Sequence, residues 1–181
     1  MSISAELRLL IRHRASFRCE YCGVNEQDTG GELTIDHFQP RMSGGTDDPE
    51  NLLYCCQRCN QYKSDYWSTT EAAPVLWNPR QEPHANHFVL LADGMLYPRT
   101  AIGTFTIARL RLNRPPLVAH RLRQLTRSEE VMLLTQLRDV IGTLEQLQAQ
   151  HALLLEQQRQ LLEEQRALIT ILLQQQGRVD E

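Results

Sequence analysis

The sequence predicts an α+β fold: a small zinc-supported core of strand, loop and helix, followed by a long C-terminal α-helix of coiled-coil type. Three observations predict it. Two CxxC pairs, Cys19/Cys22 in CEYC and Cys56/Cys59 in CQRC, bracket residues 33–60, and two short-range cysteine pairs suit the tetrahedral thiolate cage of a structural Zn²⁺. Between them, Leu33 to Ile35 is apolar and β-branched enough for a short strand. From Ser128 to Gln176 there is no proline and one glycine, Gly142, and leucine dominates a seven-residue repeat.

The core comes first. The span between the cysteine pairs exceeds zinc-ribbon spacing, so a segment is inserted between the knuckles. Its strand delivers Asp36 and His37 at its end, and Ser43-Gly44-Gly45 with Asp47-Asp48-Pro49 forms a turn-rich loop. Asn51 closes that loop. From about Cys56 a helix is expected, with Asn60 and Lys63 at i, i+3 on one face. A carboxylate, an imidazole and a carboxamide converging on a metal-supported strand-loop-helix make a site for hydrolysing phosphate esters with one hard cation. Asn, like carboxylate, favours an oxygen-preferring ion, so Mg²⁺ or Mn²⁺ is expected there rather than Zn²⁺.

CEYCG, DHFQPRMSGG, DDPEN and CQRCNQYK, in that order within residues 19–63, resemble the HNH endonuclease family. The resemblance implies a ββα-metal core and a set of roles. His37 is the general base, its ordinary pKa lying near neutrality. Asp36 and Asn60 hold the metal, and Asn51 bridges backbone across the loop and orients His37. The third signature position is Asn60 where many members have His. Products with 5′-phosphate and 3′-hydroxyl ends are implied. Arg41 and Lys63 are candidate phosphate contacts, or ordinary solvated surface charges.

The chain of 181 residues has room for one domain with a core plus an extension. With 19 basic and 22 acidic side chains it is mildly acidic, unlike a typical DNA-binding protein. The average hides an asymmetry: residues 1–125 carry net +1 and residues 126–181 net −4. Between Gly94 and Ser128 there are seven arginines, among them Arg109, Arg111 and Arg114, and no acid. Such a run is either a phosphate-tracking surface or a solvated helix face. Of the five cysteines, Cys55 is left over and reads as a small buried hydrophobe. No apolar run reaches membrane-span length, and no basic-then-apolar leader appears at Met1. CxxC thiolate usage points to a reducing cytoplasm.

Outside the core, Ser2 to Ser16 reads as a helix with Ser4 as N-cap and Glu6 in its first turn. Leu7, Leu10 and Ile11 form its buried side, while Arg8, Arg12 and Arg14 are more exposed. Phe17 should pack at the entry to the first knuckle. Ser68 to Pro83 is irregular, punctuated by Pro74, Pro79 and Pro83. Trp77-Asn78-Pro79 followed by His84, His87 and Phe88 resembles a block found after the core in one bacterial subgroup of the family. His87 either approaches the scissile phosphate or packs under a hairpin, which His87–Leu91 and Met95–Tyr97 form around Ala92-Asp93-Gly94. Thr100 caps a helix carrying Ile102, Phe105, Ile107 and Leu110 and ending near Asn113, and Pro115-Pro116 opens the next.

In the tail one seam reads Leu133, Val140, Leu147, Leu154, Leu161 and Leu168, and its partner seam reads Leu137, Leu144, His151, Gln158, Gln165 and Leu172. Leu134, Ile141, Leu155, Leu162 and Ile169 add a third line, wide enough for a bundle as well as a two-stranded coil. His151 reads as a buried polar register device. At ~1.5 Å per residue the helix would run roughly 70 Å. The chain therefore divides into a nuclease core at 1–66, an Arg-rich accessory region at 67–125 and a helix at 126–181. The helix joins copies of the chain through residues 128–176 or receives a helix of a partner protein. The functional reading is a metal-dependent DNA endonuclease; the alternative is a nucleic-acid-binding adaptor that recruits a partner through its helix.

Overall fold

The computed structural model describes residues 3–70 and 72–176, with side chains as far as 172. Ser2, the expected start of the first helix, and residues 177–181 of the tail lie outside the described residues. The chain forms two compact units, Met1–Thr126 and Arg127–Glu181; the proposed core and accessory region share the first.

In the first unit, helix α1 (Ala5–Arg14) starts where the Ser4 hydroxyl accepts the Leu7 N–H at 3.2 Å, satisfying one of the orphan amides of a helix start. Its buried stripe is Leu7, Ile11 and Arg14, not Leu7, Leu10 and Ile11: Ile11 is fully buried, whereas Leu10 is 53% exposed. The stripe shifts because two of the three arginines expected to be exposed, Arg12 and Arg14, turn inward, while Arg8 stays exposed. Arg14 donates to the carbonyls of Pro49 at 2.7 Å and Leu52 at 2.6 Å. Arg12 grips Glu26 of the one-turn helix α2 (Glu26–Thr29) through two bonds of 2.6 and 2.7 Å. Phe17, expected to pack at the entry to the first knuckle, lies against His13 and the Arg12 guanidinium and is 39% exposed.

Strands β1 (Thr34–His37) and β2 (Leu52–Cys55) pair antiparallel, with Thr34 opposite Cys55 and His37 opposite Leu52. Every residue of β2 is buried, since α1 covers it and the first cysteine knuckle lies along it. There the Glu20 N–H donates to the Tyr54 carbonyl at 2.9 Å, and the Glu20 carboxylate accepts the Tyr54 N–H at 2.7 Å. Cys55 is fully buried. Helix α3 (Gln57–Lys63) follows, with the Cys56 sulfur at its N-cap. Strand, loop, strand and helix thus give the ββα arrangement.

The remainder of the first unit buttresses this core. After α4 (His84–His87), strands β3 (Phe88–Leu90) and β4 (Leu96–Pro98) make the expected hairpin, with Gly94 supplying φ +78° in its turn. Helix α5 (Ala101–Arg109) is capped by Thr100, whose hydroxyl accepts the Gly103 N–H at 3.0 Å. It stops before the expected end near Asn113, since Arg111 is left-handed (φ 48°) and the Asn113 amide is used on β4, bonded to the N–H and C=O of Leu96 at 2.8 Å each. His87 takes the packed alternative: it is buried, bonded to the Thr100 hydroxyl at 2.7 Å and to the Glu82 carboxylate. Helix α6 (Pro115–Gln176) begins at the two prolines.

In the second unit α6 presents its apolar lines to solvent. Leu133, Val140, Leu147, Leu154, Leu161 and Leu168 are each more than half exposed, as are Leu134, Ile141, Leu155, Leu162 and Ile169 of the third line. Among the described residues, nothing within that unit covers this face.

Gly103 of α5 rests on the backbone of α4: a Cβ there would lie 2.3 Å from the His87 carbonyl oxygen. Gly→Ala in a helix ordinarily gains about 1 kcal/mol. Gly103→Ala should instead destabilise by about 1–3 kcal/mol through overpacking, read as a lower midpoint in thermal unfolding; an unchanged or raised midpoint would show that the two helices do not touch there.

Candidate active site and metal centre

The structural centre is built from four buried cysteines. The Sγ atoms of Cys19, Cys22, Cys56 and Cys59 lie within 4.8 Å of one another, with Cys22 and Cys56 at 3.7 Å. A tetrahedral Zn²⁺ with Zn–S bonds of ≈ 2.3 Å needs sulfurs about 3.8 Å apart, so the cage fits zinc. Two local turns shape it. Gly23, at φ +77°, lets its N–H return to the Cys19 carbonyl at 2.8 Å, and Cys56 at the α3 N-cap accepts the Cys59 N–H at 3.5 Å. Burial pushes the Cys19 thiol up, and crowding by the other three sulfurs pushes Cys59 up. Hydrogen bonding from Cys19 and other sulfurs holds Cys22 and Cys56 down. Four thiolates this close need a cation between them.

The guanidinium of Arg114 reaches 3.8 Å from Cys59 Sγ and 4.0 Å from Cys56 Sγ. Burial opposes its charge, but the sulfurs of Cys59, Cys22 and Cys56 more than offset that and raise its pKa. Arg114 is therefore an outer partner of the cage rather than the exposed phosphate contact expected from sequence. Arg109 is likewise turned inward, donating to the Lys63 carbonyl at 3.0 Å and lying over the Tyr66 ring. Arg111 stays exposed, over Tyr62. Arg121, another member of the run, is buried and donates to the carbonyls of Gly94 and Leu112.

The polar site lies at the end of β1. Asp36 is held by the fold with one carboxylate oxygen, Oδ2, buried and without a hydrogen-bond donor. Lys63 Nζ stands 2.9 Å from that oxygen, an ion-pair distance without hydrogen-bond alignment. Burial raises the Asp36 pKa while Lys63 pulls against it. Lys63 itself is fully buried and donates to the His37 carbonyl at 2.7 Å. This corrects its expected place among surface phosphate contacts: it is an internal counter-charge that pins α3 to the end of β1. Asn60, one turn earlier on α3, donates to the Thr34 hydroxyl at 3.4 Å, and its own side-chain oxygen has no partner among the described residues. A carboxylate oxygen and a carboxamide oxygen are the donor types that Mg²⁺ and Mn²⁺ take.

His37 is held by a residue that sequence reading left unassigned. Asp47 Oδ1 lies 2.7 Å from His37 Nε2, and Arg41 clasps the same carboxylate through Nη2 at 2.5 and 2.7 Å, with Nε 3.2 Å from the imidazole. Nε2 thus faces both a carboxylate oxygen and a guanidinium N–H, and the two contacts hold the ring in place. The Asp47 carboxyl is held below its usual range by His37 and by Arg41. Nδ1 has no protein partner among the described residues. The loop that brings Asp47 back to His37 is braced by Asn51, whose Oδ1 accepts the Gln39 N–H at 2.8 Å and whose Nδ2 donates to the carbonyls of Gln39 at 3.1 Å and Thr46 at 2.9 Å. Gly45 is needed in that loop: a Cβ there would lie 1.8 Å from the Gln39 carbonyl oxygen. An acid in a turn-rich segment ten residues beyond a histidine was the available signal for Asp47.

Residues 19–66 match the family model described as HNH endonuclease. Among curated proteins, none matches the chain.

Replacing one cage ligand should unmake the core, because zinc binding of on the order of 10 kcal/mol is coupled to folding. Cys59→Ser should lose its zinc by elemental analysis and expose β2 amides to hydrogen exchange. Zinc content equal to wild type would disprove the cage.

Proposed function

We propose, for a chain that carries an HNH endonuclease domain at residues 19–66, that it hydrolyses DNA phosphodiester bonds with one divalent ion, Mg²⁺ or Mn²⁺. The observation that supports this most is the end of β1. There an imidazole held at Nε2 by Asp47 directly follows Asp36, whose carboxylate is paired with the buried Lys63 ammonium.

Asp36 and Asn60 would hold the ion, which when bound neutralises charge on the scissile phosphate and on the leaving oxygen. His37 Nδ1 takes a proton from the attacking water. The imidazolium that forms is stabilised by the Asp47 carboxylate, which does not itself need to take the proton. Loss of the 3′-oxygen from phosphorus gives 5′-phosphate and 3′-hydroxyl ends. Asn51 keeps the loop in register, and Arg41 and Arg111, both exposed, are the proposed phosphate contacts. The cage itself is structural Zn²⁺, and its thiolates suit a reducing cytoplasm. Among the described residues no helix is long and apolar enough to cross a membrane.

One such site holds one reactive phosphate at a time, so two copies are needed for two strands. The exposed Leu133-to-Leu168 seam supports self-association of the tail, and its acidic balance disfavours a place along DNA phosphates. The same seam supports the second reading, an adaptor that recruits a partner helix. Roles in phage defence, restriction or mobile elements all accommodate the first reading.

His37→Ala should lower plasmid cleavage by about 10²–10⁴-fold, the usual cost of losing a positioned general base, with Mn²⁺ binding retained in calorimetry. Asp36→Ala should weaken Mn²⁺ binding itself. Wild-type turnover by His37→Ala at neutral pH would remove the assigned base, and absence of any metal-dependent cleavage would favour the adaptor.

Light scattering separates the readings of the tail. Full-length protein should be larger than a monomer and yield linear product; residues 1–126 alone should be monomeric, zinc-loaded and mainly nick. Monomers in both cases would assign the helix to a different protein.

A further inference from the structure

Beside the polar site is a cavity that neither the metal nor His37 uses. Its volume is about 450 Å³, and its walls include Phe38, Trp67, Leu76, Trp77, Asn78 and Gln81. Phe38 directly follows His37, so one wall of the cavity begins a single residue, about 3.8 Å along the Cα trace, from the proposed base. Phe38 and Trp67 meet edge to face with centroids 5.8 Å apart, and both remain partly exposed at the opening. Trp77 is almost fully buried, its indole N–H donating to the Glu82 carbonyl at 2.9 Å. Trp77 is therefore floor, and Trp67 is an available aromatic face.

The polar groups on the wall are the second observation. Asn78 is 8% exposed; its Oδ1 accepts the Arg80 N–H at 3.0 Å, while its Nδ2 has no partner among the described residues. The Gln81 amide and the Trp67 indole N–H are also unpartnered there. A cavity with a flat aromatic side, an apolar floor and unpaired amide donors and acceptors suits a planar heterocycle with a hydrogen-bonding edge. It does not suit a phosphate, since among the described residues the only ionised group on its lining is the Glu82 carboxylate, already bonded to His87. It is also large enough for a nucleobase with part of its sugar, within the ordinary range of small-ligand pockets.

We propose that this cavity receives an unstacked nucleobase of the DNA substrate, stacked on Trp67 and flanked by Phe38, with its edge read by Asn78 and Gln81. The proposal deepens the endonuclease reading and rests on it for the identity of the polymer. A nucleotide whose base is drawn aside here leaves its backbone beside His37, so the enzyme would favour single strands, mismatches and distorted duplexes, where unstacking is least costly.

The test separates binding from cleavage. DNA carrying 2-aminopurine is mixed with the zinc-loaded full-length protein in the absence of Mg²⁺ and Mn²⁺, as a single strand, a mismatched duplex and a matched duplex. The base's fluorescence should change on binding for the first two and little for the third. Trp67→Ala should weaken single-strand binding by about 5- to 150-fold, the loss of one stacked base, while Trp67→Phe restores most of it. Trp67→Ala should also leave zinc content and thermal midpoint at wild type. Gln81→Ala, a change of an exposed side chain, should alter preference among bases without abolishing binding. Single-strand affinity unchanged in Trp67→Ala, or a fluorescence change equal for matched and mismatched duplexes, overturns the base pocket while leaving the nuclease reading untouched. Base-dependent binding with no cleavage at any divalent ion concentration keeps the pocket and overturns the nuclease.

Discussion

The first unit is organised around four cysteine sulfurs placed so that one cation can draw them together as thiolates. The cage joins a turn at residues 19–22 to the start of α3, and β2, buried at every residue, runs between them. Without the cation the four sulfurs repel as thiolates or lie poorly paired as thiols. The short helix α3, seven residues long, is well below the length at which a helix holds itself in water. With the cation, α3 has a fixed N-terminus, and its last residue, Lys63, is placed against Asp36 and the His37 carbonyl. An ion in the cage would thus fix the polar site at its far end.

That arrangement explains why charged side chains are so deeply buried here. Lys63 has no exposed surface, and an isolated ammonium there would be too costly. It is tolerated because Asp36 lies at 2.9 Å and two backbone carbonyls accept from it. Arg114 is tolerated against the cage for a related reason: four thiolates around one Zn²⁺ leave an excess of negative charge that a nearby guanidinium offsets. A second tier of pairs does the same work further out. Arg12 and Tyr54 converge on Glu26, and burial together with the Glu26 carboxylate pushes the Tyr54 hydroxyl up to about 12, so it stays a donor.

Much of this was legible in the sequence because it is local. The CxxC spacings, the Ser4 and Thr100 caps, the Asp93-Gly94 hairpin and the two prolines opening α6 all follow from rules that act within a few residues. What was not legible is which charges meet across long separations. Arg14 reaching Leu52, Arg80 reaching Glu20 and Arg114 reaching Cys59 span 38, 60 and 55 residues, and an arginine bound for a buried carbonyl looks the same in sequence as one bound for a phosphate. Hence the arginine run divides: Arg111 faces solvent, while Arg109, Arg114 and Arg121 serve the interior. Leu10 was misplaced for the same reason, since the amphipathic pattern of α1 could not reveal that Arg14 would take its share of the buried stripe. Asp47 was hidden among turn residues, although its role depends only on a loop tight enough to return it to His37.

The most direct test of the account is cleavage of supercoiled plasmid by zinc-loaded protein as Mg²⁺ is titrated in, with the product ends identified. The expected result is no cleavage without added ion, a saturable rise with Mg²⁺ or Mn²⁺, and ends carrying 5′-phosphate and 3′-hydroxyl. Cleavage at full rate in chelator with zinc retained in the cage, or intact plasmid at every concentration of both ions, would contradict it.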